Sequence, residues 1–452
     1  MRDPSGMQLD FEWIGVPDSG DPLESRTWAR LAWRLGTSTL TRALDRKARS
    51  VRENVYVPLY PLADWIVSHW WSLLYEPWPV DGPLPAPETE ADPDVQGWLQ
   101  RHCIRVANPG FASPFACIFS QGPNIAVVCR PDPRGRYPGV PVEFIEDVEG
   151  TISREDVRDA LGEFVEGVLQ KLSDCDDERV ADLRTDWQAI RDASLEEAEF
   201  CRAAGRLGLD PYDPEAWPEP VLKWFERSPP GKLDSAFLID LLESPDPTIV
   251  KPGQCEALVQ LADLLALTGA AKDFGPHEGP GTAFTVGYTL ARWVRDQMGL
   301  VPGQPIQDLR EAAEAACGRG LDVNETAAIP EGHVLSVVGW NANAVPVLAT
   351  RSDRGRRDSA KRFLWGRGLY LVLRGAARGP RLVTDAKTWD QRVSRAFAAE
   401  LLAPRDHVKH LYLDIEARAG RDEADATLAE LYNVSPMVIR HQVENLRVRV
   451  YG

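Results

Sequence analysis

Few side chains in this sequence are spaced for chemistry. Its seven histidines stand at positions 69, 102, 277, 333, 407, 410 and 441, and all but one pair are isolated. His407 and His410 lie three residues apart, a spacing that on a helix turns both imidazoles to one face and lets them share a metal ion, with Glu416 following. No acid partner is fixed by that spacing, so a pair of surface histidines is the simpler reading. The seven cysteines at 103, 117, 129, 175, 201, 255 and 317 include no CxxC pair. An odd number cannot all pair within the chain, and they read as reduced, mostly buried thiols of a cytosolic protein. Gly275-Pro-His-Glu-Gly-Pro-Gly281 joins glycines to a His-Glu pair, yet lacks the Lys-Ser/Thr of a phosphate-binding loop and the G-x-G-x-x-G spacing, so it reads as a linker. No serine stands in a G-x-S-x-G context.

The elements that would have to position such groups are those of a multidomain globular protein. A chain of 452 residues exceeds one ordinary core, and a composition of 44% hydrophobic and 26% charged residues argues against wholesale disorder. With 51 basic and 68 acidic residues the formal charge is −17, which opposes sequence-blind binding to nucleic-acid backbones. Two basic runs, Arg351 to Arg357 with Lys361 and Arg362, and Arg440 to Arg449, read as solvated faces. Met1 to Gln8 lacks a basic region followed by an apolar one, so no secretory signal is expected. Its most apolar stretch, Leu62 to Tyr75, carries Asp64 and His69 and is too short to cross a bilayer. The expectation is a cytoplasmic protein with no membrane association.

Three regions follow from the periodicities. Residues 1–150 predict a Trp-rich α+β domain: an extended Val55 to Tyr60, a helix over Leu62 to Tyr75, an exposed loop at Pro77 to Pro93, a hairpin of Cys117 to Ser120 and Ile125 to Arg130, and a third strand at Val140 to Ile145. Trp65, Trp70, Trp71 and Trp78 offer flat area for a ligand cage or base stacking, but core filling is the simpler role. Residues 151–275 predict a helical region opened by Ser153 and Asp156 in a capping arrangement, with further helices at 180–190, 196–207, 220–225, 235–242 and 254–267. Residues 282–452 predict helices at Phe284 to Leu300 and Ile306 to Cys317, a small antiparallel sheet of His333 to Gly339 and Val345 to Thr350, and helices at Ala360 to Leu373 and Trp389 to Leu402. The fold class expected is α+β with helix predominating.

The segment Arg395-Ala-Phe-Ala-Ala-Glu-Leu-Leu-Ala-Pro404, with Arg362-Phe363 ahead of it, resembles the Ala-Asn-x-Phe-Ala-Ala-Glu-Leu-Leu-Met-Pro signature and metal helix of the ImmA/IrrE metallopeptidases. Phe200 to Tyr212 is similar to a segment upstream in multidomain relatives. The resemblance covers a little over a third of the chain and implies a zincin-like domain for residues 282–452. That chemistry needs His-Glu-x-x-His on one helix, two imidazoles for zinc and a glutamate to activate the bound water. Counting from Arg362-Phe363 places the motif at Arg367, Gly368 and Leu371, and the third ligand, a glutamate in the family, at Gln391. None of the four supplies the required group. The resemblance therefore implies a degenerate branch without metal or cofactor: a pseudo-peptidase that acts as a binding, sensing or regulatory module, in a bacterial stress response or anti-phage defence, beside a protein partner such as a neighbouring-gene product. Arg367, Arg362 and Gln391 would then line a vacated cleft able to take an anionic group or a peptide.

Two other readings stay open. Thr427 to Asn445 has the arrangement of a helix-turn-helix, with Asn433 at the turn and Ser435 capping the second helix, which would present Arg440, His441 and Gln442 to DNA. In the resembled family a similar element packs within the peptidase domain, so DNA binding is not favoured. The other is a metallopeptidase with relocated ligands at His407 and His410.

Overall fold

The computed structural model describes residues 6–15, 20–79, 84, 87, 93–122, 124–132, 142–213, 215, 217, 219, 222, 225, 235–244, 257, 258, 260, 261, 274–276, 282–327, 329, 331–341, 343–352, 357–375 and 379–444. The expected helices at 220–225 and 254–267, the loop at 77–93, the glycine-rich stretch at 275–281 and the basic runs at 351–357 and 440–449 fall wholly or partly outside them. The fold is mixed α+β, and the chain forms two compact units, Met1–Trp217 and Pro218–Gly452. No described helix is long and apolar enough to cross a membrane.

The first unit begins with β1 (Met7–Trp13), α1 (Pro22–Arg26), β2 (Trp28–Leu35), β3 (Ser38–Thr39), β4 (Ala43–Asp45), β5 (Ser50–Arg52) and β6 (Val55–Pro58). β2 pairs antiparallel with β1, β3 and β6. Strand alternation buries Leu31 and Trp33 while Arg30 and Arg34 turn outward to Glu12 and Asp10 of β1. The single helix expected at 62–75 is broken at His69 (φ −113°, ψ 17°) into α2 (Tyr60–Ser68) and α3 (Trp70–Tyr75). Then come α4 (Pro93–His102), α5 (Ile104–Ala107), β7 (Phe115–Gln121), β8 (Asn124–Arg130), β9 (Val142–Phe144) and β10 (Val148–Ser153). β7 and β8 form the expected hairpin. Its third strand is β10, with Ile152 opposite Ile125, whereas β9 joins β4 instead. The expectation for Val140 to Ile145 is corrected accordingly: Phe144 buries itself opposite Ala43.

Helices α6 (Arg154–Lys171), α7 (Glu178–Asp192) and α8 (Leu195–Arg206) begin at side-chain caps, Ser153 accepting from the Asp156 N–H, Asp177 from Arg179 and Ser194 from Glu197. Their apolar faces share one core with Trp33, Trp65, Trp70 and Trp71, so residues 151–206 belong to the first unit and do not make a separate helical region. The tryptophans are core. Trp70 meets Trp187 edge to face at 5.0 Å, the Trp65 indole donates to the Gln100 carbonyl at 2.8 Å, and Trp78 packs edge-on against Trp98.

Buried within the same unit, Glu76 receives Arg101 Nε at 2.8 Å and stands 3.0 Å from His102 Nε2. Burial pushes the Glu76 carboxyl up, but the Arg101 hydrogen bonds and His102 outweigh it and leave the carboxyl below its usual value. A carboxyl depressed in the folded state contributes stability that is present above its unfolded pKa of about 4.3 and is lost as pH falls through the folded value. Glu76→Gln should therefore lower the urea midpoint at neutral pH and flatten the loss of stability below about pH 4 that the parent protein shows. An unchanged acid limb in the variant would contradict this.

The second unit contains α9 (Ala236–Leu242), α10 (Ala283–Gln297), α11 (Leu309–Cys317), β11 (Asp322–Thr326), β12 (Val334–Trp340), β13 (Pro346–Arg351), α12 (Asp358–Gly375), β14 (Arg381–Thr384), α13 (Trp389–Leu402), α14 (Arg405–Ala419), α15 (Arg421–Tyr432) and α16 (Pro436–Glu444). The expected β12–β13 hairpin forms, but the sheet has four strands in the order β11-β13-β12-β14, and β11 runs parallel to β13. The expectation of a purely antiparallel sheet is thus corrected: the link from β13 to β14 passes through α12, and β11 enters from the other edge.

Helices α10 and α13 cross in close contact. A Cβ at Gly287 would lie 2.7 Å from both the Phe397 nitrogen and the Val393 oxygen, which are backbone atoms that cannot swing aside. Gly287→Ala should therefore destabilise the second unit by about 1–3 kcal/mol in urea unfolding, despite alanine's better helix propensity. A neutral or stabilising effect would show that the helices part without cost.

Candidate functional site: a polar cluster at the edge of the sheet

Helix α12 lies against the sheet and α13. Consecutive helical residues point roughly 100° apart, so Arg367 and Gly368 face different neighbours. Gly368 is pressed onto the sheet, where an added Cβ would stand 2.0 Å from Leu348 Cδ1 and 3.2 Å from Val338 Cγ1. Leu371 is fully buried among apolar side chains. Arg367, also buried, turns toward α13 and β14. Its Nη2 donates to Gln391 Oε1 at 2.8 Å and to the Thr384 carbonyl at 2.6 Å, and its Nε donates to Ser394 Oγ at 3.2 Å.

Gln391 sits in the first turn of α13 and is completely buried. Its Oε1 accepts the Thr384 N–H at 3.1 Å, and its Nε2 donates to the Leu382 carbonyl at 2.7 Å. Along an antiparallel strand alternate residues turn both backbone polar groups to the same side. β14 is the edge strand, and Leu382 and Thr384 are the residues whose groups face away from β12. The remaining outward donor, Leu382 N–H, goes to Asp240 Oδ2 at 2.9 Å. Side chains from three helices thus satisfy all four outward backbone groups of Leu382 and Thr384. No extended peptide can pair with this edge while they stay there.

Asp240 arrives on α9 and is buried. Its carboxylate takes Arg381 Nε at 2.7 Å and Nη2 at 2.9 Å, a two-pronged pair, while Asp390 Oδ2 takes Nη2 at 2.6 Å. Burial pulls the Arg381 guanidinium down, and Asp240 and Asp390 more than reverse this, holding it protonated. Arg367 has only neutral acceptors in hydrogen-bond contact, and burial, followed by the charge of Arg395, pulls its pKa down to about 9.

The zinc implied by the resemblance does not fit these residues. Gly368 and Leu371 carry no donor atom, both polar atoms of the Gln391 amide are hydrogen-bonded, and the Arg367 guanidinium directs hydrogens, not lone pairs, at its neighbours. The vacated cleft expected around Arg367, Arg362 and Gln391 is corrected as well. Arg367 and Gln391 meet, but in a filled interior. Arg362 is engaged elsewhere, donating to the Ile306 and Gln307 carbonyls at 2.7 Å each.

The other sequence candidates divide. α15 and α16 form the expected helix pair, with Asn433 left-handed at the turn (φ 49°, ψ 54°). The triplet Arg440, His441 and Gln442 does not share a face. Gln442 is buried, where its Nε2 donates to the Ala403 carbonyl at 2.8 Å and its Oε1 accepts from Tyr288; Arg440 pairs with Asp425 at 2.6 Å; His441 is exposed. The DNA-facing expectation is corrected for Gln442. His407 and His410 both lie on α14, but the His407 ring packs over Gly303, and among the described residues no group of three or more His, Cys, Asp or Glu is arranged to hold a metal.

Sequence reading missed Asp240, Arg381, Thr384 and Ser394. One signal was available, a lone acid in the apolar run Ala236-Phe-Leu-Ile-Asp-Leu-Leu242. No family model matches the chain, and neither a curated protein nor a solved structure does.

Removing Asp240 would break the two-pronged half of the Arg381 pairing, leaving Asp390 as its carboxylate, and would strand the Leu382 N–H. Asp240→Ala should cost about 3–5 kcal/mol in urea unfolding of the second unit, and Asp240→Asn, which keeps an acceptor for Leu382, should cost less. A loss under about 1 kcal/mol for the alanine variant, as found for exposed pairs, would refute the assignment.

Proposed function

We propose that the second unit is an ImmA/IrrE-like, zincin-like domain that has become a pseudo-peptidase and works in the cytoplasm as a binding or regulatory module. The observation that carries this reading is the double use of Gln391. At the position where the resemblance calls for a ligand glutamate, a glutamine presents its donor to the Leu382 carbonyl and its acceptor to the Thr384 N–H. A carboxylate there would set a lone pair against the Leu382 oxygen and a second negative charge beside Asp240, whose Oδ1 lies 3.4 Å from Nε2. Where the resembled chemistry calls for zinc ligands and a glutamate, this chain has a buried guanidinium, a packed glycine and an amide bonded to the strand edge.

The regulatory part of the proposal, a role in a stress response or anti-phage defence beside a protein partner, rests on the resemblance alone. Loss of hydrolysis is directly testable. The full-length protein, produced with zinc in the medium, should carry substoichiometric zinc and show no chelator-sensitive cleavage of an unfolded polypeptide such as denatured casein. One zinc per chain together with cleavage that a chelator abolishes and zinc restores would overturn the proposal.

A further inference from the structure

The first unit holds a pair of thiols that the spacing of cysteines in the sequence does not reveal. Cys103 lies between α4 and α5, and Cys117 lies within β7. The two are direct antiparallel bridge partners. Antiparallel partners have Cα atoms about 4.5–5.5 Å apart, inside the range of about 4.4–6.8 Å that disulfides span, so a bond between them asks for no movement of the backbone. Both thiols are free and buried, and they lie in the same small apolar cluster on one face of the sheet. Cys129, also on this sheet, is opposite Ala116 and packs in the core on the other face, so it is no competitor.

We infer that Cys103 and Cys117 form a redox-active dithiol, which hydrogen peroxide converts to an intramolecular disulfide. The two sulfurs are set up for different tasks. Burial raises the Cys103 thiol, but hydrogen bonds from Cys117 and from the Arg105 and Ala116 amides, with the Arg105 charge, outweigh it and leave the thiol below its usual value; burial and Cys103 hold the Cys117 thiol well above it. Of the two, Cys103 is thus the one that gives up its proton more readily, and Cys117 the one that holds it. The Cys103 sulfur attacks one peroxide oxygen, the O–O bond breaks, and the departing hydroxide takes a proton to become water, leaving a sulfenic acid. Cys117 sulfur then displaces the sulfenic hydroxyl as a second water, forming the S–S bond. Two thiols are oxidised by two electrons, and one peroxide is reduced to two waters. Burial restricts the oxidant to a small neutral molecule and excludes a bulky disulfide such as oxidised glutathione.

The test uses the full-length protein treated with hydrogen peroxide, alkylated in denaturant and mapped by mass spectrometry without reduction. A cross-linked peptide joining Cys103 to Cys117, two hydrogens lighter than the dithiol and reversed by dithiothreitol, is expected. In Cys117→Ser, the reaction should stop at a Cys103 sulfenic acid that dimedone traps. The parent protein alone decides the matter if that variant does not fold. Free thiols at 103 and 117 after the half-buried Cys175 and Cys317 have been oxidised would overturn the inference, and so would a cross-link to Cys129. Glutathione attached to Cys103 as readily as peroxide reacts would overturn the assignment of the oxidant.

Discussion

The second unit depends on how its sheet ends. An edge strand presents backbone donors and acceptors that need partners when water is excluded, and an unpaired buried group costs about 1–3 kcal/mol. β14 meets that requirement with side chains. Asp240 from α9, Gln391 from α13 and Arg367 from α12 each bond outward backbone atoms of Leu382 or Thr384. Three helices, α9 distant in sequence and α12 and α13 on either side of the strand, are thereby tied to four residues, and their positions are set by hydrogen bonds as well as by apolar contact. Arg381 adds a second tie from the same strand, reaching Asp240 and Asp390 together.

Charge is distributed unevenly through this cluster. Arg381 faces two carboxylates, whereas Arg367 bonds only to a hydroxyl, a carbonyl and an amide oxygen. A guanidinium tolerates such a setting because its charge is delocalised and its several donors can all be satisfied by neutral acceptors. The cost remains as the lowered pKa, about 9. A fixed positive charge at this point also disfavours a metal cation in its place, independently of which donors surround it.

Local chemistry made much of the secondary structure legible. Ser153 marks a helix start that the sequence announces with a capping residue ahead of an apolar period, and the structure places a side-chain cap there, as it also does at Ser194 and Ser235. The β12–β13 hairpin follows from two β-branched runs around Asn341 to Asn343. What escaped are features whose cause is far away in the chain. β14 is Arg-Leu-Val-Thr, too short for a period, and becomes a strand because β12 pairs with it. Asp240 and Arg381 are 141 residues apart, so nothing near either announces the ion pair. The grouping of Arg440, His441 and Gln442 failed for the opposite reason: neighbours in sequence on a helix do not share a face, and Gln442 was the one turned inward.

The same distance argument bears on whether hydrolytic chemistry is one substitution away. A glutamate at 368 would have to displace Leu348, since even a Cβ there comes within 2.0 Å of it. A glutamate at 391 would put like-charged or lone-pair atoms against Asp240 and the Leu382 carbonyl. A histidine at 367 has too few donors to serve Thr384, Gln391 and Ser394 together. Each of these substitutions conflicts with a different element, β13, α9 with β14, or α13, so a ligand set requires the helices and the sheet edge to be repacked at once. A zinc site at positions 367, 368, 371 and 391 is therefore opposed by packing and backbone hydrogen bonding across the unit as well as by residue type.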